Sequence, residues 1–168
     1  MNKYYFEGKT QEQAINLALY ELNISEDDLI VNNVEDKSSL LKKNVKIEVL
    51  NIKEIISFIK DTLNKITELM GAKSNLEVKR REKSISVTIF SENNAILIGK
   101  NGKNVAALQL LIRQMINSKL KEPLSIIIDV GNYKEKRARS IANLAKKLAR
   151  EAYKTKTEVT MASMNSDE

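Results

Sequence analysis

Apolar and polar positions alternate along this chain with two periods, and the switches between them mark out the elements. Tyr4, Tyr5 and Phe6 make a short aromatic run closed by Gly8, which predicts a strand over residues 3–7. Thr10 stands where a helix N-cap belongs, with Gln13 three positions on as its capping-box partner. Ala14, Leu17, Ala18 and Leu22 follow at helical spacing. The polar run 23–28 predicts a turn, and residues 29–34 and 46–50 predict strands. Next, Ile55, Ile56, Ile59, Leu63, Ile66 and Met70 share one helical face, and Gly71 is a natural stop. Leu76 and Val78, then Ile85, Val87 and Ile89, alternate with polar residues as two strands joined by a charged turn over 79–83. A short apolar run at 96–98 leads into a helix from Lys103 to about Lys119, with Val105, Leu108, Leu111, Ile112 and Met115 as its apolar face. Pro123 breaks the chain before a strand over 124–130. Tyr133 opens a long helix whose buried seam is Ala138, Ile141, Leu144, Ala145, Leu148 and Ala152. Residues 157–161 read as a last strand.

This order predicts an α+β protein of several small domains, with boundaries at 1–51, 52–131 and 132–168. The 168 residues are 42 % hydrophobic, enough for a core, and a single Pro with five Gly leaves little room for long linkers. Cys is absent, which excludes disulfides and thiol chemistry. His is absent too, which removes the usual general base and the commonest transition-metal ligand. No apolar run approaches a membrane span and the N-terminus has no signal-peptide core, so a cytoplasmic protein without direct membrane insertion is expected.

Charge divides the chain unevenly. Residues 1–51 carry 6 basic and 9 acidic side chains, 52–130 carry 13 and 8, 131–156 carry 9 and 2, and 157–168 carry 3 acids only, for a net +6. A basic middle and C-terminal part beside an acidic N-terminal module implies a polyanion-binding face.

The stretch from Ile96 to Leu108 concentrates the candidate chemistry. Gly99 and Gly102 flank Lys100 and Asn101, allowing backbone angles and close approaches that side chains forbid. The loop amides and the N-terminus of the following helix favour phosphate, and Lys100 and Lys103 add charge-assisted contacts. Asn101 and Asn104 can hydrogen-bond sugar, phosphate or base edges. Ile96, Ile98 and Val105 form either an apolar floor under bases or plain core. The spacing to Lys103 is wrong for a nucleotide P-loop and no Ser or Thr follows it. No carboxylate pair has an evident catalytic reason, so neither an enzyme nor a cofactor is expected. A second candidate is the ridge of Lys136, Arg139, Asn143, Lys147, Arg150 and Lys154, which spans roughly 27 Å at ~1.5 Å per residue. Its helix carries an Ala-rich seam without large anchors, which argues against a membrane surface.

The Ile98–Gly99–Lys100–Asn101–Gly102–Lys103 stretch, with helix–strand–strand–helix–helix–strand around it, resembles a type II KH domain, whose GxxG loop clamps about four nucleotides of single-stranded nucleic acid. Residues 4–10 and 24–29 resemble the N-terminal domain of the bacterial Jag family. The chain departs from that family over residues 36–44, where relatives have a glycine-rich turn and this sequence has no Gly. The run from Tyr133 to Asn165 resembles the first half of the Arg-xxx-His domain that follows the KH domain in the same family. The Arg and His would come just after it, and this chain ends there without a His, so that domain is expected to be incomplete. The resemblance implies binding of single-stranded RNA through Ile98, Gly99, Lys100, Asn101, Gly102, Lys103 and Asn104. It also implies roles around cell elongation, division or sporulation, with a smaller KH protein or a membrane insertase as partners. An uncovered seam on the last helix would invite homo-oligomers. The competing reading is a protein adaptor, docked through residues 1–51, whose KH fold does not bind RNA.

Overall fold

The computed structural model describes residues 1–36, 44–81 and 84–164. The N-terminal module consists of β1 (Tyr4–Gly8), α1 (Gln11–Leu22), a 3-10 turn (Glu26–Asp28), β2 (Leu29–Asp36) and β3 (Val45–Asn51). Its sheet is antiparallel in the order β1-β3-β2, so the last strand lies in the middle. Thr10 caps α1 by accepting from the Gln13 amide at 3.2 Å. In return, Gln13 Oε1 accepts from the amide of Lys9 rather than from that of Thr10 itself. Phe6, Ala14, Ala18, Ile47 and Val49 form a small core between helix and sheet. The glycine-free turn falls largely on residues 37–43, outside the described residues.

The second sheet carries the candidate loop. α2 (Ile52–Leu69) leads to β4 (Ser74–Arg81) and β5 (Ser84–Ser91). Then come α3 (Asn94–Ile98), a 3-10 turn (Lys100–Gly102), α4 (Lys103–Asn117) and β6 (Ser125–Val130). The expected charged turn at 79–83 is narrower than predicted, because β4 keeps pairing with β5 through Arg81–Ser84. Strand order is β4-β5-β6, with β6 parallel to β5. A parallel neighbour needs a crossover, and α3 and α4 supply it. Ile52, Ile55, Ile59 and Leu63 of α2 and Val105, Ile112 and Ile116 of α4 bury one face of this sheet, against Ile85, Val87, Ile89, Ile126, Ile128 and Val130. At roughly 2 kcal/mol per buried aliphatic side chain, this face outweighs any surface ion pair. Leu111 is not on the core face: it is 46 % exposed, while Ile116 is buried in its place.

No linker separates the two sheets. β3 runs directly into α2, whose N-cap Asn51 accepts from the Lys53 amide at 2.9 Å. Leu50 of β3 already belongs to the larger core. Asp28 then pairs with Lys53 at 2.7 Å and with Arg80 at 2.6 Å. These partners hold its carboxyl at about 2, the Lys53 hydrogen bond being the largest influence, with Ser25 and Arg80 helping it against burial. Asn32 donates to the Lys119 carbonyl at 3.2 Å and accepts from the Lys121 amide at 2.7 Å. The acidic module is thus fastened at the C-terminal end of α4.

α5 (Tyr133–Thr155) follows β6 after a two-residue turn. Its apolar seam is not buried as expected. None of its residues is fully buried, and Leu144 is 43 % exposed. Residues 157–161 form no strand, although Val159 and Met161 are half-buried. Among the described residues no helix is long and apolar enough to cross a membrane.

Candidate nucleic-acid interface

The loop at Gly99–Gly102 joins the two crossover helices at the N-terminal end of α4, the far end from the N-terminal module. Gly99 has φ 70° and ψ 179°, a region that only glycine enters freely, and Gly102 has φ 74°. Asn101 also lies in the left-handed region, at φ 53°, which Asn tolerates better than most residues. Space is as decisive as φ. A Cβ on Gly99 would lie 2.5 Å from Cγ of Asn104, and one on Gly102 would lie 2.7 Å from Cε1 of Tyr133.

Three of the loop amides are consumed internally. Gly99 donates to the Ala95 carbonyl, Gly102 to the Gly99 carbonyl and Lys103 to the Lys100 carbonyl. Among the described residues the amides of Lys100 and Asn101, at the exposed tip, make no such bond and are open to a ligand. Lys100 and Lys103 are exposed and form no ion pair among the described residues. Asn104 differs from its sequence expectation: its Nδ2 donates to the Ile96 carbonyl at 2.7 Å, which makes it a brace of the loop. The three apolar candidates also separate. Val105 is core at 3 % exposure, Ile98 is half-buried against the same core, and Ile96 is 42 % exposed. An apolar floor is therefore available from Ile96 and the edge of Ile98, not from Val105.

The ridge on α5 does not join the loop. A groove of about 450 Å³ separates α5 from the start of α4, and its helix-side lining is Tyr133, Lys134, Arg137, Ala138, Ile141 and Ala142. At 3.6 residues per turn, Lys136, Arg139, Lys147, Arg150 and Lys154 lie on the opposite side of the helix. Lys136 donates to the Gly131 carbonyl at 3.0 Å, and Arg139 is paired with Glu135. Lys147, Arg150 and Lys154 form no ion pair among the described residues and line a shallow hollow with Asn143 and Lys146. The cations that do face the loop are Lys134 and Arg137, which sequence reasoning passed over. Their signal was present in the recurrence of Tyr133, Arg137 and Ile141 at four-residue steps. Among the described residues no group of three or more acidic side chains is placed to hold a metal ion.

A parallel crossover with a GxxG turn between its helices, on a three-stranded sheet with helices on one face, is a type II KH fold. Residues 57–128 match the family model described as the KH domain of KhpA/KhpB, and residues 6–50 match the Jag N-terminus. A protein of Clostridium symbiosum named RNA-binding protein KhpB is 29 % identical over 94 % of this chain and 74 % of its own length. The protein of the same name from Bacillus subtilis is 28 % identical over 96 % of this chain and 80 % of its own length. A third, from Lactiplantibacillus plantarum, is 29 % identical over 64 % of this chain and 34 % of its own length. Over these two stretches the chain is similar to the Jag family of KH-domain proteins.

Proposed function

We propose that this protein binds single-stranded RNA in the cytoplasm and acts by binding rather than by catalysis. The observation that carries the reading is the loop tip: two amides and two lysines at a helix N-terminus that have no partner among the described residues, held open by Gly99 and Gly102. The name of the relatives points the same way. Sugar-phosphate contacts would dominate, so affinity falls steeply with salt as counterions are released. Lys147, Arg150 and Lys154 would add a second, less specific patch on the far side of α5. Residues 132–168 are read as the beginning of an Arg-xxx-His domain, and without a His the motif contacts of that domain are not carried over. Roles in cell elongation, division or sporulation remain the family's implication, as do a smaller KH protein or a membrane insertase as partners.

The test is fluorescence-anisotropy binding of short single-stranded RNAs at two salt concentrations, for the native chain and a Lys100→Asp, Asn101→Asp double variant. Salt-dependent binding that the variant loses supports the loop as the site. Equal binding by both moves the site to the α5 ridge. No binding by either favours the adaptor reading, for which one observation speaks: α1 presents Tyr20 at 85 % exposure and Leu17 at 39 % to solvent.

A further inference from the structure

The groove between the start of α4 and α5 holds chemistry that the loop itself does not use. Asn101 and Gly102 belong to the GxxG turn and also to the groove wall, so the two are continuous. The Tyr133 ring lies against Gly102 closely enough to leave no room for a Cβ. Its hydroxyl makes no hydrogen bond among the described residues, and the side chain is half-buried. Gln109 stands beside it on α4. Its Oε1 accepts from the Ile128 amide at 3.0 Å and from Lys134 Nζ at 2.8 Å, which fixes the side chain, and its Nε2 donor has no partner among the described residues. Aliphatic walls come from Ile141 and the small side chains of Ala106, Ala138 and Ala142, and Lys134 and Arg137 bring positive charge to the rim.

We propose that this groove seats the base of one RNA nucleotide whose phosphate lies on the Gly99–Gly102 turn, with Tyr133 as its stacking surface and Gln109 as a donor to its edge. The proposal rests on the RNA-binding reading above and adds a base-contacting site outside the GxxG loop, built jointly by α4 and α5. The chemistry argues for a nucleobase over an apolar peptide. The groove offers one aromatic face, one unused amide donor and a cationic rim, which match a flat heterocycle flanked by phosphates. A ring locked by packing also loses little entropy when a base stacks on it.

The experiment compares a labelled uridine-rich single-stranded RNA of ten nucleotides with an abasic backbone of the same length. The native chain is expected to bind the RNA about tenfold more tightly than the abasic chain, the contribution of roughly one stacked base. Tyr133→Leu should bring RNA binding down to near the abasic level with an unchanged salt slope, whereas Tyr133→Phe should stay within about twofold of native. Should Tyr133→Leu fail to fold, photocrosslinking of 4-thiouridine RNA to the native chain decides, and a crosslinked peptide containing Tyr133 is expected. Equal affinity of the native chain for RNA and abasic backbone, or crosslinks that map only elsewhere, overturns the groove and leaves the loop reading standing if Lys100→Asp, Asn101→Asp still abolishes binding. Binding indifferent to that double variant overturns the loop reading and this inference together.

Discussion

The side chain of Asn104 lies across Gly99, donating its amide to the Ile96 carbonyl at 2.7 Å and filling the space a Cβ would need. One residue of α4 therefore holds the end of α3 and sets the entry of the loop. Gly99→Ala should destabilise the fold by about 2 kcal/mol, because it combines a forbidden backbone region with a clash. Asn104→Ala should cost about 1 kcal/mol through the lost hydrogen bond. Urea denaturation measures both. RNA affinity should fall in each variant although neither residue's charge changes.

Charge reversal at Lys147, Arg150 and Lys154 tests the separation of the two basic regions. The triple change to Glu should lower the slope of log affinity against log salt by up to about two to three units. It should leave untouched the difference between native and Lys100→Asp, Asn101→Asp chains. Non-additive losses would show that one RNA strand contacts both faces of α5 at once.

The junction between the two sheets should soften in acid. In the folded chain the Asp28 carboxyl titrates near 2, below its usual 3.8. The unfolded chain takes up the proton first, so the stabilisation is complete above about pH 4 and is lost as pH falls from there toward 2. Glu48 and Glu54 act in the same direction. Burial raises each, but bonds from Lys3, Asn32 and Tyr5 to Glu48, and from Tyr4 and the Asn2 amide to Glu54, more than offset it. Asp28→Asn should lower stability at neutral pH by roughly 2 kcal/mol and flatten the acid dependence below pH 4, read from urea midpoints at several pH values. RNA affinity at neutral pH should not change.

The half-covered seam of α5 predicts concentration-dependent association. Sedimentation velocity should show the native chain shifting to larger species as concentration rises, and Leu144→Glu should suppress the shift without changing the helical circular-dichroism signal. Leu144 is exposed enough that the substitution leaves the fold intact.

Elements with one clean period were legible in advance. α2 shows a single apolar stripe, and the alternation in β4 and β5 leaves no choice of face. The loop was legible because Gly at 99 and 102 serves both φ and close approach, which few other residues could satisfy. α4 was harder, since Leu108, Leu110, Leu111 and Ile112 surround more than half of the helix. Only packing against β6 decides that the stripe runs Val105, Leu108, Ile112, Ile116. The 157–161 segment alternates like a strand, yet a strand exists only with a partner, and among the described residues it pairs into neither sheet. The side of α5 that meets the loop was invisible for a similar reason. Both sides are basic, and only three-dimensional placement brings Lys134 and Arg137, rather than the ridge, to Gly102.

α4 has the module's anchor at Lys119 and Lys121 just beyond its one end and the GxxG turn at the other, separated by 15 helical residues or about 22 Å. With β3 passing into α2 without slack, the helix behaves as a strut. A protein gripped at Tyr20 and an RNA gripped at Lys100 would be held at a set distance and angle. The molecule would then act as a rigid coupler, delivering its cargo in one orientation instead of trailing it on a tether.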